Sequence, residues 1–150
     1  MNASPIPAWH KALENKDKKA LLVNIHDQCI FYSPIIFKPQ KGKALTKMYL
    51  GAAFEVFNEA GDFKYVLEVE NDNHAVLEFN VTIDGIQIDG VDILTWNNDG
   101  KITEFKVMLR PFRSIEKVGE KMRAKLEGQS ALSKVKTGLE IGIDRLKRNS

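Results

Sequence analysis

Two stretches of alternating apolar residues, joined by a short polar turn, constrain the fold of this chain more than any other feature. They are Ile86–Trp96 and Ile102–Leu109, and residues 97–100 between them read Asn-Asn-Asp-Gly. These turn residues tolerate the positive φ angles of a tight hairpin, and a period of two is typical of strands with one buried face. The sequence therefore predicts a β-hairpin.

Asp92 stands out in the first of these strands because its neighbours are apolar. Successive side chains of a strand point to opposite faces, so Asp92 shares a face with Leu94 and Trp96. A carboxyl group placed in this way either lies near a strand end, where water hydrates it, or forms the polar centre of a binding cavity. A third reading is a structural carboxylate that is paired with a backbone amide, with Arg110 or with a lysine of the C-terminal tail.

The rest of the chain divides into helical patterns followed by strand patterns. The apolar period is mainly helical up to residue 58 and changes to two from Asp62 onward. Helices first and strands later indicate an α+β protein rather than a parallel alternating fold. The predicted elements are a helix over 7–19 with a second short turn after Asp17, a strand at 29–33, a loop at 35–42, a helix over 42–58, strands over 63–69, 74–83, 86–96 and 102–109, and a helix that includes 115–126 and ends at Gly128.

The length and the C-terminal pattern predict one domain followed by a tail. The chain has 150 residues, enough for one sizeable core, and we expect a single domain over residues 1–128. In residues 129–150 apolar side chains recur every three or four positions, as in an amphipathic helix, although Gly138 and Gly142 each weaken it by roughly 1 kcal/mol. Such a helix is not a separate domain, because it needs its own domain or a second chain to pack against.

Charge and cysteine content narrow the functional classes. The net charge of +2 combines a mildly acidic body, −4 over residues 1–109, with a basic arm, +6 over residues 110–150. We expect no nucleic-acid partner, because no basic cluster is interleaved with aromatic residues. Cys29 is expected to be a buried thiol in a reducing compartment. No segment is long and apolar enough to span a membrane, so the sequence predicts a cytoplasmic protein.

The three histidines are too scattered to indicate a metal site. His10 is expected to face solvent, His26 and Asp27 are expected in a surface turn, and His74 is expected where a turn meets a strand. The sequence has no metal-ligand spacing, phosphate-binding loop, nucleophile elbow or cysteine–histidine pair. We therefore expect no metal and no cofactor.

The order of the elements and four sequence segments resemble the SnoaL-like branch of the nuclear transport factor 2-like superfamily. The segments are ALENKDKKALLVNI, FYSPIIFKPQKGK, GVDILTWNNDGKI and VMLRPFRSIEKVGEKM, and the match covers residues 8–127. The resemblance implies a cone in which a strongly bent antiparallel sheet wraps a long helix and leaves a deep hydrophobic cavity. It does not fix the function, because this superfamily includes isomerases, dehydratases, cyclases, epoxide hydrolases and non-catalytic binding domains.

The site residues implied by the resemblance argue against two of these reactions. In the ketosteroid isomerase branch the general base falls here on Ser33 and the oxyanion tyrosine on or near Trp9, while the buried acid is matched by Asp92. A serine with no nearby base does not abstract a proton from carbon, and an indole donates a hydrogen bond without exchanging a proton near neutral pH. The limonene epoxide hydrolase arrangement is also broken, because its strand acid falls at Asn80 and its arginine near Glu78.

The resemblance also directs Asp92 into the cavity and suggests which side chains form the wall. In apolar surroundings the pKa of Asp92 would be raised, so that the carboxyl group acts as an acid or a base. Five aromatic residues are candidates for a wall that prefers flat, apolar ligands, with plain core packing as the alternative for each: Trp9, Tyr49, Phe79, Trp96 and Phe105. The predicted wall also contains Leu13, Phe31, Ser33, Val81, Leu94, Val107 and Leu109.

Two functional hypotheses follow from these expectations. In the first, the protein binds a small, largely apolar molecule, and any reaction is a proton transfer such as isomerisation, cyclisation or dehydration. Asp92 would then be the acid or base, and Trp9 or Tyr49 would position the ligand oxygen. In the second, the domain is a non-catalytic binding or dimerisation module. Its homodimer interface would be the outer sheet face, with Val91, Ile93, Glu104 and Met108.

Overall fold

A computed structural model describes residues 3–129 of the chain. It confirms the α+β class, with N-terminal helices, a curled and unclosed six-stranded sheet, and a C-terminal helix. The tail predicted beyond Gly128 lies, except for residue 129, outside the described residues. In chain order the elements are α1 (Ile6–Glu14), α2 (Lys18–Leu22), β1 (Ile25–Tyr32), β2 (Gln40–Lys41), α3 (Lys43–Ala60), β3 (Lys64–Glu70), β4 (His74–Ile83), β5 (Ile86–Trp96), β6 (Ile102–Arg110) and α4, which is helical from residue 112 to residue 129.

The sheet is built around an antiparallel meander of the last four strands. The strand order is β2-β1-β6-β5-β4-β3, so β3 forms one edge, and β1 joins the meander through a parallel pairing with β6. The tight turn between β4 and β5 is made by Asp84 and Gly85, which have φ angles of 50° and 77°. Glycine accepts this backbone conformation without strain, and aspartate tolerates it better than most residues. The predicted hairpins are therefore present in the meander.

Besides the first helix, which ends at Glu14 rather than at Lys19, three predicted boundaries are wrong. The strand β1 begins at Ile25 rather than at Cys29, so His26 and Asp27 lie on a strand and not in a surface turn. The segment predicted as a loop contains the short strand β2, which pairs with β1. The helix α4 continues through Gly128 to residue 129. The first two errors share a cause, because pairing with β6 and β2 stabilises β1 through contacts distant in sequence.

The interior consists of two adjoining apolar clusters on the inner face of the sheet. Residues of α1, α2 and β1 form the first cluster with the Trp96 end of β5, and residues of α3 and α4 form the second with the opposite end of the meander. Three partly buried residues pack against both clusters: Tyr49, Tyr65 and Val107. They therefore mark the boundary at which a gap between helices and sheet can open.

The pairing of β4 with β5 depends on one glycine. Phe79 and Gly90 are register partners, and the Phe79 ring packs on the glycine backbone. A Cβ atom built at Gly90 would lie 2.1 Å from Cζ of Phe79. No real side chain fits at that distance, so glycine is required here for close approach rather than for an unusual φ angle.

Candidate functional site

A cavity of about 480 Å³ lies between α1, α3 and the inner face of the sheet. Its wall is mainly apolar, with side chains that include Leu13, Leu50, Phe54, Phe57, Phe63 and Phe105. Polar and charged side chains also line it, among them His10, Glu14, Lys16, Asn58, Lys64 and Glu68. This volume and this balance of apolar and polar groups are typical of sites for small organic molecules.

Three polar side chains from three different elements form a hydrogen-bonded chain in the cavity wall. The indole Nε1 of Trp9, on α1, donates to the hydroxyl of Tyr65, on β3, over 3.0 Å. That hydroxyl donates to Oδ2 of Asp92, on β5, over 2.7 Å. The chain thus links a helix, an edge strand and a central strand, and it ends on a carboxyl group that is only 6% exposed.

Burial sets the protonation of this chain. Loss of hydration raises the pKa of Asp92 from 3.8 to about 7, against the lowering effect of the hydrogen bond from Tyr65. The pKa of Tyr65 is also raised well above its usual value, first by burial and then by the charge of Asp92. Near neutral pH the tyrosine is therefore neutral, while Asp92 is present in both its acid and its carboxylate forms. This is the protonation required of a general acid or base.

One oxygen of Asp92 is available to a ligand. Of the two Asp92 oxygens, only Oδ2 has a hydrogen-bond partner among residues 3–129. The indole N–H of Trp9 and the hydroxyl hydrogen of Tyr65 are both already donated within the chain of hydrogen bonds. The second oxygen, Oδ1, belongs to a residue that lines the cavity. It would donate a hydrogen bond when it carries the proton and accept one when Asp92 is ionised.

His10 lies at the cavity and does not simply face solvent as the sequence predicted. Its Nε2 is 2.5 Å from Oε1 of Glu68, and its side chain is 30% exposed. The ring also contacts Tyr65 edge-on, with ring centroids 5.4 Å apart. His10 and Glu68 thus lie in close contact next to the buried chain, without a regular hydrogen bond between them. The histidine was placed in solvent because the helical period alone does not show that β3 covers that side of α1.

Five of the residues predicted for the site line this cavity: Trp9, Leu13, Asp92, Phe105 and Val107. The others lie elsewhere. Phe31, Leu94 and Trp96 are buried in the first apolar cluster, and Phe79 and Val81 are buried in the second. Tyr49 stacks on Phe31 with ring centroids 5.6 Å apart. Ser33 and Leu109 line a separate depression of about 520 Å³ near α4.

Tyr65 is the important site residue that sequence reasoning missed. The segment that contains it was predicted as a strand, but none of its residues was assigned to the cavity. The sequence does contain a pattern that could have indicated it. Phe63 and Tyr65 are aromatic and lie two positions apart on a predicted strand, so they share a face, and that strand pairs with the strand of Phe79. What the sequence did not reveal is that the hydroxyl of Tyr65 reaches the carboxyl group of Asp92, which lies two strands away.

Two further observations concern the described part of the chain. Within residues 3–129 no three His, Cys, Asp or Glu side chains lie close enough together to hold a metal ion. None of the helices in that range is both long enough and apolar enough to cross a membrane.

Comparison with known proteins gives a family match and several structural matches. The SnoaL-like domain family matches residues 6–105. A steroid delta-isomerase from Pseudomonas aeruginosa is 29% identical, with a TM-score of 0.78 over 84% of this chain and 91% of that chain. No curated protein sequence matches.

Two more distant structures share the fold alone. A protein with a cystatin-like fold from Silicibacter pomeroyi is 22% identical, with a TM-score of 0.76 over 86% of this chain and 89% of that chain. An NTF2-like protein from Mesorhizobium loti is 16% identical, with a TM-score of 0.61 over 71% of this chain and 88% of that chain.

Proposed function

The chain belongs to the SnoaL-like domain family, and we propose that it binds a small, largely apolar molecule whose reacting carbon lies at Asp92. The observation that carries this proposal is the carboxyl group of Asp92, buried in an apolar cavity, with a pKa of about 7 and one oxygen without a partner among the described residues. A carboxyl group with a pKa near neutrality and one oxygen open to an apolar cavity is typical of ligand-binding and catalytic sites. The likeness to a steroid delta-isomerase supports a flat carbonyl compound as the ligand class.

The reaction that we propose is a proton transfer within the bound molecule. The carboxylate of Asp92 would take a proton from a carbon next to the carbonyl group and return it to a second carbon, so that one residue acts first as base and then as acid. A pKa of about 7 suits both steps near neutral pH. Trp9 and Tyr65 would hold the carboxyl group in place. Ser33 would take no part, because it lines the depression near α4 and not the cavity.

This assignment changes the roles expected from the sequence. Trp9 and Tyr49 were the residues expected to position the ligand oxygen. The N–H group of Trp9 already donates to Tyr65, and Tyr49 does not line the cavity. We therefore assign a different role to Tyr65, whose hydroxyl group positions the carboxyl group of Asp92.

Two measurements test the proposal. Native mass spectrometry of the purified protein would detect a retained molecule of a few hundred daltons, and thermal-shift assays would then rank a panel of apolar ketones. For a ketone that binds, mass spectrometry in deuterated water would show deuterium entering the positions next to the carbonyl group. We expect this exchange in the wild type and its loss in Asp92→Asn.

Asp89→Asn is the matched control, because Asp89 lies on the same strand but pairs with Arg110 over 2.5 Å on the other face. It should exchange deuterium at the wild-type rate. Ketone binding without exchange in the wild type would leave a binding protein and exclude the reaction. The absence of any bound molecule and of any thermal shift would contradict both.

A second candidate function is a non-catalytic dimeric module, favoured by the outer face of the sheet. Val91 pairs there with the exposed Met108, and Ile93 pairs with Val76. Glu78 and Lys106 flank these apolar residues on the same face, and an apolar patch with a charged rim suits a homodimer interface. The two functions are compatible, since the interface and the cavity lie on opposite faces. For either function we propose a cytoplasmic protein, as its one cysteine, the buried Cys29, suggests.

A further inference from the structure

The loop between β1 and β2 carries apolar side chains into solvent. Phe37 is fully exposed, and Ile35 and Ile36 are 44% and 41% exposed. The first turns of α3, which follow directly, expose Leu45 and Met48. Isolated exposed apolar residues are common, but five of them within one short segment require an explanation.

This loop is held in shape rather than left loose. The hydroxyl oxygen of Ser33 accepts hydrogen bonds from the backbone N–H groups of Ile35 and Ile36, over 3.0 and 3.2 Å. The side-chain amide of Gln40 donates to the carbonyl oxygen of Lys38 over 2.9 Å. Ile35 also packs against α4 near Gly119. The exposed position of Phe37 is thus a feature of an ordered loop, which would reduce the entropy cost of binding through it.

The charged side chains within this segment are all lysines. Residues 28–54 contain four lysines and no aspartate or glutamate. The lysines are Lys38, Lys41, Lys43 and Lys47, of which Lys43 pairs with Asp27. Phe37 and Lys106 both line the depression near α4. No acidic side chain of the described residues lines it. The segment therefore combines an apolar surface with a positive potential.

We propose that residues 35–48, here named the basic tip, dock on the surface of a lipid bilayer that contains anionic lipids. The apolar side chains, Phe37 foremost, would enter the boundary between headgroups and acyl chains, and the lysines would contact anionic headgroups. A second copy of the chain is a poorer occupant of this surface, because two basic tips would repel each other. This inference rests on the surface alone and is independent of the reaction at Asp92.

The test is flotation of the full chain with lipid vesicles. We expect the protein to float with vesicles of phosphatidylcholine mixed with phosphatidylglycerol, and to float much less with phosphatidylcholine alone. Added salt should release it, since the attraction of lysines to headgroups is screened. Failure to bind the anionic vesicles, or equal binding to both kinds, would overturn the proposal.

Variants of exposed residues separate docking from folding. Phe37→Ser should weaken vesicle binding about tenfold or more, because it removes the largest inserted side chain, whereas Phe37→Leu should retain most of the binding. Lys38→Glu combined with Lys41→Glu should weaken it at least as much, and only for anionic vesicles.

Val23→Ser is the matched control, because Val23 is 57% exposed but lies outside the tip. It should bind vesicles as the wild type does, and all these variants should unfold at the wild-type denaturant concentration. Equal weakening by Val23→Ser would contradict the proposal. A change of oligomeric state in Phe37→Ser, with vesicle binding intact, would also contradict it and identify a second copy as the occupant.

Discussion

At the scale of single residues, the energetics of the cavity are those of one buried proton. The pKa of Asp92 rises from 3.8 to about 7, which corresponds to about 4 kcal/mol of preference for the neutral carboxyl group. Between these two pH values the folded protein keeps a proton that the unfolded chain has lost. The free energy of unfolding therefore decreases as the pH rises from 3.8 to about 7, and this contribution stays constant above that range.

Replacing Asp92 with asparagine should remove this dependence. The asparagine side chain keeps an oxygen that can accept from Tyr65, but it carries no charge to bury. Above pH 7 we expect the free energy of unfolding to be unchanged or raised, by at most about 4 kcal/mol, and its slope below pH 7 to flatten. Denaturant unfolding at a series of pH values measures both, with Asp89→Asn as the control. A loss of stability above pH 7 would instead identify Asp92 as a structural hydrogen-bond centre.

Replacing Tyr65 with phenylalanine should raise the pKa of Asp92 further. The hydroxyl of Tyr65 stabilises the carboxylate, so its removal favours the neutral form. The indole N–H group of Trp9 also loses its acceptor, and we expect a loss of about 1–3 kcal/mol in stability. Carbon-13 NMR of the carboxyl group gives the pKa. Tyr32→Phe should change neither the pKa of Asp92 nor the stability, since Tyr32 lines the depression near α4 and not the cavity.

At the scale of the elements, an irregularity in β3 determines which side chains reach the cavity. Tyr65 pairs with Phe79, but after a bulge Leu67 pairs with Glu78 and Glu68 with Leu77. The bulge turns Leu67 outward and brings Glu68 to the cavity wall. One extra residue in an edge strand thus converts an apolar face into a partly charged one.

The close contact between β4 and β5 gives a matched pair of glycine variants. Gly90→Ala would place a methyl group within the Phe79 ring, and we expect a loss of about 1–3 kcal/mol or more. Gly119→Ala, in α4, meets Ile35 at 3.5 Å, an ordinary contact, and should be neutral or stabilise by up to about 1 kcal/mol. Denaturant unfolding distinguishes the two. Similar effects of both variants would show that Phe79 can move aside without cost.

The strands of the meander could be predicted because their alternation is regular and their turns are local. The same alternation correctly placed Asp92, Leu94 and Trp96 on the buried face of β5. The family match then supplied the fold, including the curl that period-two patterns do not encode.

The rest depended on contacts between distant segments. The start of β1 depends on its partner β6, and the outward turn of Leu67 depends on the bulge. The part played by Tyr65 depends on a hydroxyl group that reaches across β4 to Asp92. Several residues predicted for the cavity wall, such as Phe79 and Trp96, share the correct face, but they are buried in the apolar clusters. Period and face alone do not distinguish a covered position from one that borders a gap.

At the scale of the whole molecule, the domain presents three surfaces with different chemistry. The cavity opens between helices and sheet, the basic tip lies where β1 leads through β2 to α3, and the outer sheet face carries Val91 and Met108. We propose that residues 1–128 form one domain. Because Met108 also lines the depression beside Phe37, the outer sheet face adjoins the basic tip, whereas the cavity lies at the opposite face of the sheet.

The homodimer proposed for the outer face can be tested with charge. Val91→Lys combined with Met108→Lys places two cations on paired strands at the centre of that face. We expect the dimer to become a monomer, measured by light scattering after size-exclusion chromatography. Gln87→Lys, an exposed position at the end of the same strand, is the control and should leave the dimer intact. A monomeric wild type would exclude this interface.

The position of Trp9 gives the protein an optical probe of its own cavity. Both tryptophans are buried in the first apolar cluster, but only Trp9 also lines the cavity. Its indole is hydrogen-bonded to the tyrosine that contacts Asp92, so both a ligand and the loss of the Asp92 proton change its surroundings. Intrinsic fluorescence would therefore report cavity events through Trp9. The unmodified chain can be titrated with ligand or pH without any attached dye.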